Sequence, residues 1–61
     1  MNAAIELLEL GLKQAKEQEI IINARIERGE NVYLNKENLK ENQNEIDDIE
    51  KALSFLRRSY L

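Results

Sequence analysis

Sixty-one residues allow a single domain at most, and a chain this short buries only about 60% of its unfolded surface, so it is marginal alone. With no Cys and no His it can form neither a disulfide nor the common zinc ligand sets, which leaves oligomerisation or very regular helix packing as the aids to stability. The net charge of −3, from 12 acidic and 9 basic residues, disfavours a general phosphate-binding surface.

Pro is absent, Gly occurs twice, and Glu, Leu, Ile, Asn and Lys dominate, so little interrupts a long helix. The same bias fits an AT-rich coding sequence, such as that of a low-GC bacterium or its phage. The first helix is expected over about residues 3–28. Asn2 can cap it, and Glu6 suits the positive end of its dipole. At 100° per residue, Met1, Ala4, Ile5, Leu8, Leu12, Ala15, Ile22 and Ile26 share one stripe. Gly11 sits within this helix, either simply tolerated or permitting a close helix contact. Arg25 and Arg28 complement the negative end, and Gly29 is the natural residue to end the helix in the left-handed conformation.

Residues 29–35, GENVYLN, read as the connection. Asn35 is expected to cap the second helix, with Leu34 and Leu39 placed as a hydrophobic staple. Val32 and Tyr33 are expected to cover the end of the core. Asn31 is a competing cap that would lengthen the second helix by a turn. That helix is expected over about 36–60, with apolar residues at 39, 46, 49, 53, 56 and 60. This 3-4 alternation is a heptad seam with a gap at Asn42. The predicted fold is all-α: one domain over 1–61, a two-helix antiparallel hairpin that dimerises into a four-helix bundle.

Two features interrupt that pattern. Glu19 lies at the centre of the first helix's stripe, and Asn42 occupies the gap in the second. Antiparallel pairing sets them within a turn of each other, with Asn23 beside the same level, so a core polar layer is expected. Such a layer lowers stability and fixes register or partner number. The first helix also carries a second apolar face. Ala3, Leu7, Leu10 and Ile21 project nearly opposite the main stripe, and Ile20 and Ala24 widen it. One hairpin cannot bury both faces. Phe55 likewise lies roughly 130° from the centre of the second seam. Leu7, Leu10, Ile21 and Phe55 are therefore the expected oligomer or partner interface.

The charged residues read mainly as solvated helix surface. Glu9–Lys13 and Asp47–Lys51 have favourable i,i+4 spacing. Glu37, Glu41 and Glu45 form a like-charge row, read first as a solvated face and second as an anionic surface for a basic partner. Arg57 and Arg58 suit the C-terminal end of a helix. Outside Tyr, only Ser54 and Ser59 carry hydroxyls, and no Gly-rich phosphate loop is present. No catalytic, metal or cofactor site is expected. No apolar run approaches the roughly 18–20 residues of a membrane span, and the first residues lack the cationic region of a leader, so a cytoplasmic location is expected. Two matched helices in about 60 residues resemble the layout of the Rop-like plasmid copy-number proteins, which are dimeric four-helix bundles that bind paired RNA loops. That resemblance implies nucleic-acid binding as an alternative, against which the acidic balance stands. The expected function is a homodimeric protein-interaction module that inhibits or redirects a larger protein. A purely structural oligomerisation element is a further alternative.

Overall fold

A computed structural model describes residues 2–59. Met1 and Tyr60, expected at the ends of the two apolar stripes, lie outside the described residues. The described residues form two helices, α1 over Ala3–Glu27 and α2 over Val32–Ser59, packed against each other. Asn2 caps α1 as its residue type suggests. Its Oδ1 accepts from the Ala4 N–H at 2.9 Å and the Ile5 N–H at 3.2 Å, which satisfies two of the donors a helix start leaves free.

The far end of α1 closes in a Schellman motif. Gly29 takes φ of 77°, a conformation that glycine reaches without a Cβ penalty. Its N–H donates to the Ile26 carbonyl, and the Glu30 N–H donates to the Arg25 carbonyl, both at 3.0 Å. Asn31 follows with φ of 39°, a left-handed position that Asn tolerates better than most side chains. Its carbonyl accepts the first bond of α2 from the Asn35 N–H at 2.9 Å.

The second helix therefore begins at Val32, one turn earlier than residue 36. Asn35 is not its cap. It lies inside α2, buried, and its Nδ2 donates to the Glu30 carbonyl at 2.7 Å. A cap accepts from the backbone, whereas this amide donates to it and ties the turn to the helix. With Asn35 inside the helix, Leu34 points outward at 59% exposure, so the expected staple with Leu39 does not form. Tyr33 is also exposed, and only Val32 of that pair turns partly inward.

The early start completes the seam of α2. Positions 35, 39, 42, 46, 49, 53 and 56 all face α1, and each is buried or half-buried. From α1 the same is true of Leu8, Leu12, Ala15, Glu19, Ile22 and Ile26. Ala15, Ile22, Ile46 and Leu53 form the buried apolar centre. The pairing is antiparallel: Glu9 reaches Arg57, and Asn42 reaches Ala15. A Cβ at Gly11 would stand 3.8 Å from Ile49 Cδ1, an ordinary contact, so the helix approach there does not require glycine. The result is a rod of 45 × 15 × 11 Å with one thin core along its length.

Candidate interaction surfaces

The polar layer is built on Asn42. This residue is 9% exposed, and its Nδ2 donates to the Ala15 carbonyl across the seam at 3.1 Å. That carbonyl also accepts the helical N–H of Glu19, so Asn42 uses its second lone pair. The bond fixes the amide's orientation, because the reverse would set Oδ1 against another oxygen. Asn42 Oδ1 is buried and has no hydrogen-bond partner among the described residues. Glu19, one turn along α1 from Ala15, is half-buried, and no hydrogen bond joins it to Asn42 among the described residues. Asn23 is exposed. The contact across the layer thus runs from side chain to backbone.

Sequence reasoning missed Asn35 as a second buried amide on the same seam. The signal was present in the 35–39–42 spacing, which continues the heptad back by one step. Reading Asn35 as a cap concealed it. Open polar grooves of about 430 and 310 Å³ flank Asn42, lined in part by Gln14, Gln18, Asn38 and Glu45. Neither is an enclosed apolar pocket of the kind that holds a small ligand. Among the described residues no group of three or more Asp or Glu is placed to hold a metal ion.

The apolar surface is the second feature. Leu7, Leu10 and Ile21 are 69%, 51% and 42% exposed. They share the side of α1 that faces away from α2, together with exposed Ala3 and half-buried Ala24. Ile20 borders this face and is also exposed. Phe55 is exposed on the outer side of α2. The hairpin therefore brings Leu7, Leu10 and Ile21 onto one face and leaves Phe55 on the opposite side.

Among the described residues ion pairs are few and solvent-exposed. Lys51 Nζ lies 2.9 Å from Asp47 Oδ2 at the expected spacing. The Asp47 hydrogen bond, then its charge, holds the Lys51 ammonium above its usual range. Glu9 does not pair with Lys13. It reaches across the hairpin to Arg57 at 3.4 Å, because both side chains lie along the open end of the seam. Arg58 Nε donates to the Ser54 carbonyl at 3.3 Å. Glu37, Glu41 and Glu45 are exposed along α2. No helix among the described residues is long and apolar enough to cross a membrane. No family model matches the chain, and no curated protein or solved structure shows significant similarity to it.

Proposed function

We propose that this chain is a non-catalytic protein-interaction module: a helical hairpin that pairs with a second copy into a four-helix dimer and binds a larger protein, which it inhibits or redirects. The observation that carries the reading is the exposure of Leu7, Leu10 and Ile21 on one helix face. Fully burying a side chain of this size is worth about 1.5–3 kcal/mol, and the exposed part of each of the three adds its share of that as a drive to associate. Exposed apolar residues gathered on one side of a helix, at both ends of that side, favour an interaction site over scattered exposure. Phe55, on the other side of the hairpin, offers an aromatic anchor for a second contact.

Nucleic-acid binding gains less support. Arg57 is engaged by Glu9, Arg58 bonds the end of its own helix, and the chain is net acidic. Light scattering tests the self-association, with a dimer mass expected and a monomer at high concentration refuting it. Gel shifts against RNA and DNA across a salt series test the alternative. Tight binding that weakens steeply with salt would make nucleic acid the primary partner. Capture from cell extract with the native chain, compared with a Phe55→Ala variant, should identify a protein held by the first and lost by the second. Equal capture by both would remove Phe55 from the contact.

A further inference from the structure

The outer face of α1 is more ordered than a scatter of exposed apolar residues. Ala3, Leu7, Leu10, Gln14, Glu17, Ile21 and Ala24 follow one another at steps of four and three. This is a second heptad seam, nearly opposite the one that packs on α2. Its ends are apolar and its middle, Gln14 and Glu17, is polar.

We propose that a second copy of this chain docks on this seam in antiparallel orientation, in one register. The inference rests on the self-association proposed above and assigns its geometry. In an antiparallel coiled coil each position of one type faces a position of the other type. The central register sets Leu10 against Ile21 of the second copy, Leu7 against Ala24, and Gln14 against Glu17, each layer occurring twice about the twofold axis. Every apolar residue of these layers then meets an apolar one, and at each end of the seam Ala3 faces Arg28. The Gln14 amide faces the Glu17 carboxylate, a donor against an acceptor. A slip of one heptad either way breaks this. In one direction Leu7 would meet Glu17 and Leu10 would meet Gln14. In the other, Ile21 would meet Glu17 and Leu10 would meet Arg28.

Parallel pairing also matches apolar with apolar. It sets Glu17 against Glu17 inside the seam, Arg28 against Arg28 at its end, and aligns the two helix dipoles. The antiparallel arrangement has one repulsive pair, Glu6 against Glu27, at the solvated rim where screening is strong. It also lays the Lys13 stem over Ile20 of the second copy, which covers that exposed side chain.

The two seams lie on opposite sides of α1, whereas a square bundle needs them about a quarter-turn apart. The four helices therefore form a flat layer, with the two copies of α1 inside and the two copies of α2 outside. Phe55 stays exposed on both outer faces.

Single-cysteine variants test this cleanly, because the chain has no Cys of its own. Leu7→Cys and Ala24→Cys chains are mixed and equilibrated in a thiol–disulfide buffer. A disulfide needs Cα atoms within about 7 Å, so the mixed 7–24 link should exceed either self-linked species by about tenfold. Gln14→Lys should tighten the dimer several-fold by facing Glu17, and in a parallel pair it would weaken it. Light scattering of the native chain keeps the two readings apart. A monomer refutes self-association itself. A dimer that links 7–7 and 24–24, or links neither position, leaves self-association standing and overturns this register.

Discussion

Replacing Asn42 by Leu should raise the stability of the hairpin. Asn42 is 9% exposed, yet only one of the two polar ends of its amide is paired among the described residues. Removing the buried, unpartnered Oδ1 relieves about 1–3 kcal/mol of desolvation penalty. A leucine of similar size then adds apolar burial next to Ile46 and Leu39, worth up to about 1.5–3 kcal/mol. Against this stands the lost bond to the Ala15 carbonyl, worth about 0.5–1.5 kcal/mol net. That carbonyl keeps its helical bond from Glu19, so it is not orphaned. Glu19 loses a polar neighbour and is half-buried, which subtracts from the gain. The balance is a stabilisation of about 1–2 kcal/mol, or a melting temperature raised by about 5–15 °C for a domain of this size. Far-UV circular dichroism melts at one fixed protein concentration provide the measurement, since any self-association would make the midpoint concentration-dependent. An unchanged midpoint would show that water already solvates Asn42. A fall of several degrees would show that the bond to Ala15 outweighs the unpaired oxygen, and the account of this layer would be wrong.

The two glycines should respond with opposite signs. Gly29→Ala forces a side chain into a left-handed position and should lower stability by about 1 kcal/mol, although nothing crowds the site. Gly11→Ala places a methyl in ordinary contact with Ile49 and should raise stability by up to about 1 kcal/mol. Paired melts of the two variants check this, and equal shifts would refute it. Leu53→Ala removes the most buried apolar side chain, at 2% exposure, and should cost about 2–5 kcal/mol. Loss of most helical signal at room temperature is expected, and a melt within a few degrees of the native chain would refute the assignment of Leu53 to the core centre. Leu7→Glu with Ile21→Glu should halve the mass seen by light scattering while the helical signal persists, because neither side chain faces α2. A retained dimer would free that face of α1 from any role in self-association.

Much of the architecture was legible because helical periodicity is a local property of the chain. The stripe on α1, the 39–56 seam, the Asn2 cap and the Gly29 stop each follow from residue type and spacing over a few turns. The α2 start at Val32 matches the longer helix expected from Asn31, not the shorter one expected from Asn35. Asn is favoured both as a helix cap and in the left-handed conformation, and residues 31 and 35 are both Asn. Choosing between them depends on whether the Asn35 amide reaches back to the Glu30 carbonyl, which the turn geometry decides. The Glu9 pairing failed similarly. Local spacing favours Lys13, but the fold brings Arg57 within reach from the other end of the chain.

Two matched amphipathic helices, the position of the turn and the surplus apolar face on α1 are all written into the order of the residues. These depend on interactions within a few residues, so they are encoded where they occur. How the polar interruption at mid-hairpin is satisfied emerges only when the two helices pack. Glu19 and Asn42 suggested a contact between side chains, yet the amide meets the Ala15 backbone and leaves one oxygen buried without a partner. The axial register of the hairpin and the reach of a short side chain set that outcome. Neither is a local property, because both depend on the loop length and on every layer packed between the loop and residue 42.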